Sequence, residues 1–161
     1  MKNLNDLLFH LIKSEIEFVV VGGFAGVLHG STLVTRDLDL CTILTSENIE
    51  KLRKSLAEFN PRHRMTVNKL SFLEAPPKGQ QVNNLYLETS LGVVDFISSI
   101  TGVGDFERVS TKADTVKLNG QSIKVINISD LISAKEAMGR AKDLLSASEL
   151  KAIQAKVEKK T

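Results

Sequence analysis

The chain has 161 residues, a formal net charge of +2, 42% hydrophobic and 25% charged residues, and a single cysteine. That length suits one domain with a sizeable core, and the composition is that of an ordinary soluble globular protein. No apolar run approaches the roughly 20 residues that cross a bilayer. Cys41 has no disulfide partner, and duplex DNA held mainly through phosphates would call for more positive charge. A cytoplasmic location, without membrane or duplex DNA as a partner, is therefore expected.

The start, MKNLNDLLFHLIKSE, places Leu4, Leu7, Leu8, Leu11 and Ile12 at helical spacing, which predicts a helix over 3–14 and not a signal peptide. Phe18–Val21 is a short apolar run suited to a strand covered on both faces. Gly22-Gly23 then turns the chain into a short helix over 24–29. A strand is expected over 37–43, then a helix over 47–59, with Ser46 as its N-cap and Pro61 bounding it. Residues 65–74 and 82–89 read as two strands joined by the irregular loop PPKGQQ, and 93–97 as another strand after Gly92. Asn119-Gly120 predicts a hairpin between 115–118 and 121–126. Ser129 is expected to cap a helix over 130–142, and a last helix covers 146–159. The order predicts a mixed α/β (α+β) fold with a central mixed sheet flanked by helices and a C-terminal helical pair. One domain over 1–161 is expected, with a core of about 16–128 and C-terminal helices over about 129–159.

The three histidines, His10, His29 and His63, show no zinc-ligand spacing. The basic groups Arg62-His63-Arg64 and Lys156, Lys159, Lys160 read as a solvated loop and a frayed helix end, with contact to a nucleic-acid end as the alternative. The acids of the segment VVVGGFAGVLHGSTLVTRDLDL are less ordinary. On a strand Asp37 and Asp39 project from one face, about 7 Å apart, while Leu38 and Leu40 enter the core. Asp95 in VVDFI has a similar setting, and if its strand neighbours the first, all three carboxylates converge. Converging carboxylates repel, and bound divalent cations relieve the repulsion. Mg²⁺ is usually held by one or two carboxylates with substrate phosphates, an arrangement that suits phosphoryl or nucleotidyl transfer. The glycine pair before a helix lets backbone approach an anionic phosphate. The pattern is not a dinucleotide fingerprint, a P-loop or a calcium loop.

Gly22-Gly23 followed by Asp37-Leu38-Asp39-Leu40, with Asp95 in a later strand, resembles the signature of the nucleotidyltransferase superfamily (the polymerase-beta-like fold). The nearest flavour is the small bacterial group similar to AbiEii-type toxins, carried by Gly22-Gly23, Thr35 and the basic helix KEAMGRAKDL. The resemblance covers roughly 16–145 and implies a nucleotidyltransferase fold. It also implies NMP transfer from an NTP, with Mg²⁺ or Mn²⁺, to an RNA end, a protein hydroxyl or a small molecule such as an antibiotic. Asp37, Asp39 and Asp95 would be the catalytic, metal-binding acids. Gly22, Gly23, Thr35, Lys135 and Lys142 would bind nucleotide, and a toxin-like member would have a cognate antitoxin. Gly23 departs from the pattern, because many members carry Ser there. Lys135 and Lys142 admit two readings on a helix over 130–142: snorkelling with ammonium groups in water, or reaching triphosphate oxygens. Arg36 points away from Asp37, and Cys41 reads as a small half-buried thiol on the face of the acids. The alternative function is a binding or partner module that keeps the fold without turnover.

Overall fold

The computed structural model describes residues 2–159, residues 2 and 3 by their backbone alone. In chain order the elements are α1 (Lys2–Ile12), β1 (Val19–Val21), α2 (Gly22–Leu28), β2 (Asp37–Cys41) and α3 (Ser46–Leu56). A 3-10 turn (Ala57–Phe59), β3 (Arg62–His63), β4 (Asn84–Thr89), β5 (Gly92–Ile97), β6 (Ser99–Ile100) and β7 (Gly104–Asp105) follow. The chain closes with α4 (Phe106–Thr111), β8 (Asp114–Leu118), β9 (Gln121–Val125), α5 (Ile128–Met138) and α6 (Ala141–Lys159).

Seven strands form one sheet in the order β3-β4-β5-β2-β1-β9-β8, and β6 with β7 forms a separate ribbon. The sheet is mixed. β2 is antiparallel to β1 and parallel to β5, whereas β1 is parallel to β9. The hairpins β4-β5 and β8-β9 extend it on either side. β1 is three valines, all buried, because it has strand neighbours on both edges and cover on both faces. In the β2-β5 pair Leu38 lies beside Val94 and Leu40 beside Phe96, and all four are fully buried. The helical stripe Leu4, Leu7, Leu8 and Leu11 of α1 joins the same apolar cluster. No helix among the described residues is long and apolar enough to cross a membrane.

Four expectations need correction. Residues 65–74 form turns, apart from a single bridge between Arg62 and Ser71. Phe72 alone is driven into the core there, while Met65, Val67, Leu70 and Leu73 stay exposed. The edge of β4 that such a strand would need is taken by β3. The cap of α3 is Thr45, whose hydroxyl accepts from the Asn48 amide at 3.1 Å, and the cap of α5 is Asn127, which accepts from the Asp130 amide at 2.8 Å. The C-terminal helices part at Gly139, which ends α5 in the left-handed conformation at φ +71°, so Lys142 lies on α6 and not on the face of Lys135. The short helix α4, with Val109 as its buried contact, has no counterpart in the sequence reading. Lys160 lies outside the described residues.

Candidate active site

Strand alternation places Asp37 and Asp39 on the sheet face opposite Leu38 and Leu40. In the parallel β2-β5 register Asp39 lies directly beside Asp95, and on its other side Asp39 pairs with Val21, the residue before the glycines. Gly22 has φ +69°, and a Cβ there would stand 2.2 Å from Asp39 Oδ2. Both observations demand glycine: the conformation is left-handed and the carboxylate fills the space of a side chain. A Cβ on Gly23 would stand 2.9 Å from the Thr35 hydroxyl oxygen. That hydroxyl donates to the Asp37 carbonyl at 3.2 Å, so Thr35 bridges the glycine pair and the start of the acid strand. α2 has just 7 residues, so its exposed amides, more than any long helix dipole, are what it offers an anion.

The acids differ in their surroundings. Asp37 is exposed, Asp39 is half-buried, and Asp95 is buried. Burial, then the charges of Asp95 and Asp37, push the Asp39 carboxyl up from 3.8 to about 6, against the opposing pull of Lys135 and Arg64. No described residue donates a hydrogen bond to the carboxylate of Asp37 or Asp39. Asp95 is partnered instead. Arg64 donates to both of its oxygens, Nε to Oδ1 at 3.2 Å and Nη2 to Oδ2 at 2.5 Å. Burial still raises the Asp95 carboxyl above its ordinary range, with Arg64 opposing. The guanidinium lies over the Tyr86 ring at 5.5 Å. The three acids thus share a sheet face without forming a three-ligand shell, and no group of three His, Cys, Asp or Glu among the described residues is gathered to hold a metal ion. The condition set for convergence, that the two strands are neighbours, is met, and the charges of Asp37 and Asp95 both act on Asp39.

A cleft of about 300 Å³ opens on Asp39 and Gly22. Its far wall is the α5-α6 junction, with Lys135, Arg140 and Asp143, and Tyr86 lines it from β4. Asp143 is 2% exposed, accepts from Arg140 Nε at 2.6 Å and lies 3.9 Å from the Lys135 ammonium. Burial pushes its carboxyl up, but the two cations outweigh that and hold it below its ordinary range. A larger groove of about 650 Å³, with Thr45, Asn83 and Asp105 among its lining residues, shares Ser99 with the cleft but contains none of the three acids. The cleft with Asp39 is the candidate site, because chemistry requires the reactive groups and not merely space.

The structure brings Gly22, Gly23, Thr35, Asp37, Asp39, Asp95 and Lys135 to one region and leaves Lys142 exposed, outside the cleft wall. Cys41 is wholly buried, not half-buried, and burial pushes its thiol up to about 12. The ring Nε2 of His10, His29 and His63 is hydrogen-bonded to the Ser55, Ile126 and Ala75 carbonyls respectively. Sequence reasoning missed Arg64, Tyr86 and Arg140. From sequence Arg64 reads as part of a solvated loop, because its pairing with an acid 31 positions away leaves no local trace. Tyr86 is placed by the β4-β5 register, directly opposite Asp95. Gly139-Arg140 carried a usable signal, since a glycine there marks a helix end.

No protein-family model matches the sequence. No curated protein matches it either. Solved structures do match. A Thermotoga maritima protein assigned as a nucleotidyltransferase is similar with a TM-score of 0.57 at 15% identity, over 92% of each chain. Lincosamide antibiotic adenylyltransferase LnuA, in its lincomycin-bound structure, gives 0.63 at 14% identity over 94% of this chain and 96% of its own. The solution structure of the antibiotic-resistance factor ANT(2'')-Ia gives 0.55 at 12% identity over 99% and 91%. With the mixed sheet and the helices that flank it, these likenesses identify the architecture of this chain as the nucleotidyltransferase fold.

Proposed function

We propose that the protein is a Mg²⁺-dependent nucleotidyltransferase that moves NMP from an NTP to a hydroxyl acceptor. One observation carries the reading: Asp37 and Asp39 project from one strand face beside Gly22, and neither carboxylate has a donor from the described protein. The donor set fits the metal. Two free carboxylates, all oxygen, are what Mg²⁺ takes together with substrate phosphates. When bound, the metal supplies charge neutralisation and Lewis-acid polarisation at the reacting phosphate.

The residues of the chain then take the following roles. Asp37 and Asp39 hold the metal-bearing triphosphate. The Gly22-Gly23 backbone and the Thr35 hydroxyl contact phosphate oxygens from one side of the cleft. Lys135 and Arg140, oriented by buried Asp143, face them from the other. The acceptor oxygen attacks the α-phosphorus, the bond to pyrophosphate breaks, and pyrophosphate leaves. Asp95, aimed by Arg64, accepts the acceptor's proton. Two of the fold neighbours are named for antibiotic modification or resistance, which makes a small hydroxyl-bearing molecule the first acceptor class to test.

The test is transfer of label from each α-labelled NTP, with Mg²⁺ or Mn²⁺, to small-molecule, RNA and protein acceptors. Label on RNA or protein, relieved by a neighbouring gene product, would point to a toxin with its antitoxin. Wild-type transfer that Asp39→Asn abolishes is expected. Binding of NTP without transfer to any acceptor would favour the inactive partner module instead.

A further inference from the structure

We propose that Arg64 fills the place of one metal ion, so that the site loads a single divalent cation, on Asp37 and Asp39, with the nucleotide. The inference rests on the nucleotidyl-transfer reading and deepens it. Metal sites of phosphoryl-transfer enzymes often hold a pair of ions that clamp the attacking and leaving oxygens. Here the acid nearest Asp39 has both oxygens engaged by one guanidinium, Nε to Oδ1 at 3.2 Å and Nη2 to Oδ2 at 2.5 Å. The fork of arginine matches a carboxylate in this way, and its charge persists at any working pH.

Arg64 is also anchored. Its backbone amide donates to the Tyr86 carbonyl at 3.0 Å, and its guanidinium lies over the ring of the same residue. The preceding residue, His63, is paired with Leu87 on the sheet edge, and its ring bonds the Ala75 carbonyl at 2.5 Å. Tyr86 stands opposite Asp95 in the β4-β5 register, so Arg64 reaches the acid across one strand. A second divalent ion shared by Asp39 and Asp95 would displace two charge-assisted hydrogen bonds and meet a fixed positive charge. Asp37 and Asp39 remain as the available oxygen ligands, enough for one Mg²⁺ that brings its other ligands as water and phosphate. Asp95 is then a proton acceptor positioned by Arg64, and not a metal ligand.

Equilibrium dialysis of the full chain against Mn²⁺ and α,β-methylene-ATP, with both bound species quantified, tests this. Wild type is expected to retain one Mn²⁺ per bound nucleotide even at large Mn²⁺ excess. Arg64→Gln is expected to raise the ratio toward two. Asp95→Asn, which leaves Arg64 in place, is expected to keep it at one, and it provides the test should Arg64→Gln fail to fold. A ratio of two in wild type overturns the proposal, as does an unchanged ratio in folded Arg64→Gln or loss of the single Mn²⁺ in Asp95→Asn. Wild type that retains no nucleotide in the presence of Mn²⁺ refutes the nucleotidyl-transfer reading itself, a failure distinct from a wrong metal count.

Discussion

Asp39 is a half-buried carboxylate without a hydrogen-bond donor, and that has a measurable cost in the metal-free protein. Its folded-state value of about 6 lies above the ordinary 3.8, so folding favours the protonated form. The stability associated with this proton is fully present below pH 3.8 and is lost as pH rises through 6. A shift of that size corresponds to about 3 kcal/mol, and water at the open side of the cleft reduces the usable part to about 1–2 kcal/mol. Metal-free Asp39→Asn is therefore expected to be more stable than wild type by about 1–2 kcal/mol at pH 7–8, with the gain vanishing near pH 4. Thermal melting of both proteins across that range checks it. A second residue-scale test concerns Gly23 and Thr35, where a new Cβ would lie 2.9 Å from the hydroxyl. Gly23→Ser is expected to cost about 1–2 kcal/mol by overpacking. Thr35→Ala on that background should recover part of the loss, so that the pair departs from additivity in a urea-denaturation cycle.

Among elements, β2 and the α5-α6 junction matter most to the site. β2 was legible because its signal is local: Asp37 and Asp39 alternate with Leu38 and Leu40, and period-2 alternation needs no partner to be read. The partnership with β5 was legible only as a condition, and the register that sets Asp39 beside Asp95 supplies it. The segment 65–74 was misread because Met65, Val67, Leu70, Phe72 and Leu73 are apolar, yet only Phe72 is buried, and no edge was open for them to pair with. The helix break at Gly139 changes the lysine argument. Lys135 is largely shielded and faces the cleft, whereas Lys142 sits one helix later and is exposed. Lys135→Ala is accordingly expected to weaken Mg²⁺-nucleotide binding by about 1.5–3 kcal/mol, the range for a hydrogen bond to a charged group. Lys142→Ala is expected to leave it within about 0.5 kcal/mol, as for an ordinary surface position. Calorimetric titration of both variants, with the fold checked by circular dichroism, measures the contrast.

At the scale of the whole molecule, the fold brings together what the chain keeps far apart. Gly22 and Asp39 come from one short stretch, which is why they could be recognised together. Arg64, Asp95 and the pair Lys135 and Arg140 arrive from three separate places, the edge of the sheet, its centre and the junction of the last two helices. The cations were the harder part to read, since a lysine or arginine on a surface and one in a cleft look the same without the partner that orients it. Asp143, buried between Lys135 and Arg140, is that partner here. The charge layout follows from this assembly: acids on the sheet face, cations across the cleft, and a cavity of about 300 Å³ between them. Under the proposed function, such a layout would make metal and nucleotide mutually dependent, because a bare triphosphate would be repelled by Asp37 and Asp39 while its metal complex would be attracted. Isothermal titration of NTPs into wild type and Asp39→Asn, with and without Mg²⁺, tests this most directly. Wild type is expected to bind at least about tenfold tighter with Mg²⁺, a difference of about 1.4 kcal/mol, and Asp39→Asn is expected to lose that difference. Equal affinity with and without Mg²⁺, or undiminished binding by folded Asp39→Asn, would contradict this dependence and put the phosphates elsewhere on the molecule.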